Sequence, residues 1–212
     1  MTDQVAGTPQ SLVVAARNLE PDVREIHRVV LRSFRDSGYA HRSDLRDVAS
    51  ALGVDLEDAL RVLSEADLVH LAPDGQVEVA YPFSARVAGH TVSLEGRPPV
   101  QAMCAIDALG IPLMTRADGV IRSSDPDTGE SITVHRRGEV WTWQPDSAVV
   151  VLSHATACGT LASTICGSIT FHTDRASAAS YLETRHGLDG TILSQAEAVS
   201  LADEVFGGLL SD

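Results

Sequence analysis

Apolar positions recur every three to four residues through the first third of the chain. Ile26, Val29, Val30 and Phe34 fall on one helical face; Pro21 suits the first turn and Gly38 the stop. Leu45, Val48, Ala49 and Leu52 predict a second helix, capped by Ser43 and ended near Gly53. Leu56, Ala59, Leu60, Leu63 and Ala66 predict a third, with Asp55 as its cap. Before them, residues 1–20 are weakly patterned around Leu12, Val13 and Val14 and read as a tail or a short helix. The period then drops to two. Leu68–Leu71 and Gln76–Ala80 flank Pro73-Asp-Gly75, a hairpin signal. Three helices and a hairpin predict a winged-helix-like domain over residues 1–82.

Residues 83–212 mix both periods. Val87–Leu94 alternates like a strand, Gly96-Arg-Pro-Pro99 turns the chain, and Val100–Met114 is a long apolar run. A loop at 124–129 precedes strand-like Ser131–His135, Val140–Trp143 and Ala148–Leu152, with another strand at Ser168–Phe171. Arg175–Arg185 reads as a helix capped by Asp174. Ser194 caps a last helix through Ala198, Leu201, Val205 and Leu209. Short strands among helices predict an α+β fold for this second domain. The two regions around Cys104 and Cys166 each follow strand signals and precede a helix, the pattern an internal duplication leaves.

Aromatic residues are only 4% of the chain, so the core falls to Val, Leu, Ile and Ala. A net charge of −13 repels phosphate backbones and anionic membrane surfaces, which argues against both as partners. The third helix, the one a winged helix lays on DNA, carries Glu57, Asp58, Glu65 and Asp67 against Arg61 alone, so packing on its neighbour is its expected use. No run approaches the roughly 18 apolar residues of a membrane span. The opening MTDQVAGTPQ lacks a secretory pattern, and the chain is expected in the cytoplasm. Three cysteines are too few for a disulfide framework and are expected as free thiols. All three lie at or beyond Cys104.

Cys104 and Asp107 stand three residues apart in an otherwise almost wholly apolar run, Gln101–Met114. If a helix starts at or just after Cys104, both groups share one face and the thiol sits at the helix's positive end, which favours thiolate. Apolar surroundings raise a carboxyl's pKa, so Asp107 could carry a proton near neutrality. Spacing alone favours the plainer reading, a small core cysteine with Asp107 as a helix cap. Cys166, in Leu161–Thr170, reads as core or reactive; Cys158 reads as an incidental loop thiol; His154 and His172 read as surface or hydrogen-bonding residues. No C-x-x-C pair, H-E-x-x-H, phosphate loop or G-x-S-x-G elbow is present.

Met103-Cys-Ala-Ile-Asp-Ala-Leu-Gly-Ile-Pro112 resembles the first active-site motif of the organomercurial (alkylmercury) lyase family, and Ile165-Cys-Gly-Ser-Ile-Thr-Phe171 its second cysteine motif. The resemblance implies Cys104, Asp107 and Cys166 as catalytic residues and as ligands of the Hg(II) product. It implies carbon–mercury cleavage in R–Hg⁺ to a hydrocarbon and Hg(II), without a cofactor. Hg(II) would pass to small thiols or to a partner such as mercuric reductase. Many members carry a further, structural cysteine in the loop corresponding to Ser123–Asp127; here that loop has none, and Gly167 stands where some members have a second cysteine. Competing expectations are a thiol-based metal or metalloid binder, a winged-helix metal-sensing regulator, and a lyase turned toward another organometal.

Overall fold

The computed structural model describes residues 9–154 and 166–210, with side chains from Leu12 onward and without those of His154 and Cys166. Helices α1 (Pro9–Arg17), α2 (Pro21–Ser37), α3 (Arg42–Leu52) and α4 (Leu56–Glu65) come first. Gly38 ends α2 as expected: at φ +82° its N–H donates to the Phe34 carbonyl at 2.8 Å. Asp55 caps α4 by accepting the Asp58 N–H at 2.9 Å. The start of α3 differs from expectation. It begins at Arg42 after His41, and the Ser43 hydroxyl donates to the Asp44 carboxylate instead of capping. Arg42 anchors this start two residues early, reaching both the Gly75 carbonyl in the hairpin turn and Glu57 of α4.

The hairpin β1 (Val69–Leu71) and β2 (Val77–Ala80) is where the alternation placed it. It continues through β3 (Phe83–Ser84) into an eight-stranded antiparallel sheet with β5 (Val100–Ala102), β4 (His90–Leu94), β6 (Gly119–Ser124), β7 (Ser131–Arg137) and β8 (Val140–Gln144), in spatial order β1-β2-β3-β5-β4-β6-β7-β8. A second sheet holds β10 (Thr170–His172), β9 (Val149–His154) and β11 (Asp189–Leu193), with β9 central. Helices α5 (Ala105–Met114), α6 (Arg175–Thr184) and α7 (Gln195–Phe206) complete a mixed α+β architecture. Among the described residues, no helix is long and apolar enough to cross a membrane.

One buried cluster runs from the N-terminal helices into the large sheet; Phe34 of α2 stacks on Phe83 of β3 at 5.9 Å between centroids. Strand β4 is shorter than expected because Gly89, at φ +82°, turns the chain and Val87 lies 88% exposed. Strands β4-β5-α5-β6 and β9-β10-α6-β11 repeat one ββαβ unit: in each the first strand lies between the other two, all antiparallel. In that repeat Cys104 corresponds to Asp174, for each caps the helix after a three-residue strand.

Helix α5 contains Gly110 and Pro112, both poor helix formers. Gly110 lets α7 approach: a Cβ there would overlap the Phe206 ring. The Pro112 carbonyl accepts the Ala117 N–H and the buried Arg136 guanidinium, which sits well at a helix's negative end.

Candidate active site

Extended backbone at Cys104 (φ −152°, ψ 179°) brings β5 to the mouth of α5. Its Sγ takes the capping role that Ser or Asp usually has, accepting the Asp107 N–H at 3.4 Å. The thiol is 2% exposed and not in a disulfide. Orphan amides of the first turn and the helix dipole both favour negative charge there, hence thiolate.

Asp107 is 3% exposed among Ile106, Ala108 and other apolar neighbours. Burial pushes its carboxyl from 3.8 up to about 7, against hydrogen bonds with the thiol and backbone of Cys104 that favour the carboxylate. Its Oδ2 is buried with no hydrogen-bond partner among the described residues. A carboxyl poised between its two protonation states at neutral pH therefore touches a thiol at a helix N-terminus. That pair can exchange a proton.

The second motif reaches the same place through its backbone. Residues Cys166–Ser168 form a 3-10 turn leading into β10, and the Ile169 carbonyl accepts the Ala105 N–H at 3.0 Å. A turn rising about 2 Å per residue holds residue 166 within about 6 Å of Ile169 along its axis. The Cys166 and His154 side chains, and Cys158 altogether, lie outside the described residues.

Sequence reasoning missed the polar residues that lock this region. His90 of β4 is paired in register with Ala102, two residues before Cys104. Burial lowers its imidazole to about 4, so it is neutral at pH 7; its Nδ1 lies 2.8 Å from Ser123 Oγ. Phe171 of the small sheet meets His90 and Trp143 of the large one edge-on, at 5.7 and 5.6 Å. Asp125, in the loop after β6, is 1% exposed and takes five donors. Its Oδ1 accepts from the amides of Asp127 and Thr128; its Oδ2 accepts from the Thr173 amide and from the hydroxyls of Thr173 and Ser177. Burial alone would raise its pKa, but those donors outweigh it and bring the carboxyl to about 2. The local half of this pattern is an Asx turn, readable from Asp-Pro-Asp-Thr-Gly; the half that crosses to Thr173 leaves no local trace.

His172 is fully buried, which corrects any surface placement; it is hydrogen-bonded instead, to Thr170 at 2.9 Å and to Ser177 at 3.2 Å. Burial lowers its pKa even against the nearby Asp125 carboxylate. Among the described residues, no group of three or more His, Cys, Asp or Glu could hold a metal ion.

A model of the alkylmercury lyase family matches residues 83–207, beginning at the first residue of β3. The chain is also similar to a solved structure described as the mercury-bound form of MerB2, with a TM-score of 0.80 and 23% identity over 96% of this chain and 98% of that one. At that identity the likeness is one of fold, and it takes in the helices before residue 83. No curated protein matches.

Proposed function

This chain belongs to the alkylmercury lyase family and is a lyase, and from that premise we propose that it cleaves R–Hg⁺ by protonolysis, with Cys104, Asp107 and Cys166 as the reacting groups. The observation that carries the mechanism is the buried Asp107 carboxyl, raised to about 7 and set against the Cys104 thiol.

Mercury is a soft ion, and thiolates are the soft ligands a protein offers. Asp107 takes the Cys104 proton and the thiolate binds mercury. Cys166 adds the second sulfur, losing its own proton to solvent. Carbon, gathering negative charge as its bond to mercury lengthens, receives the proton stored on Asp107. The balance is R–Hg⁺ plus two thiols giving RH, mercury held by two sulfurs, and one H⁺. Asp107 is then free to add an oxygen ligand to Hg(II). External thiols or mercuric reductase would carry Hg(II) away. The cysteines must be reduced, a condition that the cytoplasm supplies.

Residues 1–82 serve, in this reading, as a winged-helix-like unit that supports the catalytic unit at 83–212 and does not bind DNA. Arg61, the cation on α4, is held between Asp58 and Glu65, and Phe34 packs on Phe83.

The test is benzene release, followed by gas chromatography, from phenylmercuric ion in excess small thiol. Multiple turnovers are expected. Stoichiometric Hg(II) uptake without benzene would point to a thiol-based binder instead, and tight binding to a defined duplex to a metal-sensing regulator.

A further inference from the structure

Helices α1 and α2 and the chain around the end of α7 line a half-open pocket of about 260 Å³. Arg17, Arg24, His27, Arg28 and Glu204 form its polar wall. Val13, Ala16, Val205 and Leu209 line the rest. In a chain of net charge −13, whose sixteen basic residues are all arginine, three of them converge on this one space.

The wall is built to receive something. His27 is 2% exposed, and its Nε2 has no hydrogen-bond partner among the described residues. Burial, then the neighbouring Arg28, lowers its imidazole to about 4, so it enters as a neutral group with one hydrogen bond to give or take. The Nε of Arg24 is likewise buried without a partner, while its Nη2 is anchored on the carbonyls of Arg17 and Leu19. Arg28, beside them on the wall, lies 3.7 Å from Glu25. A buried imidazole and a buried guanidinium nitrogen thus each keep a hydrogen bond unmade at this wall.

We propose that this cavity binds a small amphipathic organic carboxylate, its charged end among Arg17, Arg24, Arg28 and His27 Nε2, its hydrocarbon on Val13, Ala16, Val205 and Leu209. Guanidinium forks match a planar carboxylate. An inorganic anion would reach the arginines but leave the apolar half unfilled, and Glu204 disfavours a second negative charge. Among the described residues no sulfur lines the space, so the site stands apart from the proposed mercury chemistry.

Benzoate serves as the probe on the full chain, read by calorimetry and by the His27 ring resonances, with benzyl alcohol and inorganic phosphate as comparison arms. One saturable site is expected, with the His27 signals moving on titration. Arg17→Glu, at an exposed position, and Arg28→Gln should each weaken benzoate by about tenfold or more while phenylmercury cleavage stays unchanged. Benzyl alcohol should not bind, and phosphate should not compete. Absence of saturable heat at millimolar benzoate, unchanged affinity in both variants, or equal binding of benzyl alcohol or phosphate would each overturn the proposal.

Discussion

The Ala105 amide donates to the Ile169 carbonyl at 3.0 Å, so the helix that begins after Cys104 has its first N–H satisfied by the strand entry that follows Cys166. Two motifs 62 residues apart are thereby pinned backbone to backbone, whatever their side chains do.

The proposed mechanism ranks the thiols. Cys166→Ser should abolish benzene release from phenylmercury, whereas Cys158→Ser should leave it near wild type. The opposite ranking, in the same gas-chromatographic assay, would make Cys158 the second sulfur.

Asp107→Asn separates holding mercury from breaking its bond to carbon. Two sulfurs remain, so Hg(II) uptake should stay stoichiometric by equilibrium dialysis. Loss of the proton carrier should slow turnover roughly 10²–10⁴-fold. Undiminished benzene release would remove the carboxyl from the reaction.

The same residue should leave a mark on stability. Asp107 holds its proton up to about pH 7 when folded, against 3.8 as its ordinary value. Its contribution therefore favours the folded state fully below about pH 3.8 and is lost as pH rises through about 7. Asp107→Asn cannot ionise, so relative to wild type it should gain on the order of 2–3 kcal/mol between pH 5 and pH 8. Urea unfolding at the two pH values measures this; an equal difference at both would contradict the burial argument.

Gly110→Ala tests the helix crossing beneath the site. In an ordinary helix interior this change stabilises by about 1 kcal/mol. Here the new methyl meets the Phe206 ring, itself 1% exposed, and the sign should reverse to a loss of about 1–3 kcal/mol. Phe206→Leu in the Gly110→Ala background should recover part of that loss, which a double-mutant cycle would read as coupling.

The elements legible in the sequence were those with a strong period or a local cap. Helix α2 with Gly38, α4 with Asp55, the β1–β2 hairpin, α6 with Asp174 and α7 with Ser194 all announce themselves within a few residues. Strand β6 escaped because, though central, it buries only Ile121 fully, so no alternation shows. Strand β11 escaped as an edge strand with no fully buried residue. At the site, the Cys104–Asp107 spacing was visible because a helix turn is local. The grip of Asp125 on Thr173, 48 residues on, was invisible because only folding creates it.

Asp125 also bears on how such a catalyst survives its own product. Its loop is the one in which the family resemblance leads one to look for an additional structural cysteine, and any such sulfur is a place where liberated Hg(II) could lodge and stay. Here five donors saturate a hard oxygen anion, which offers a soft ion little to grip. The scaffold around the proposed reacting thiols is thus braced by chemistry to which the poison is largely indifferent, and in that reading self-inactivation has one fewer route.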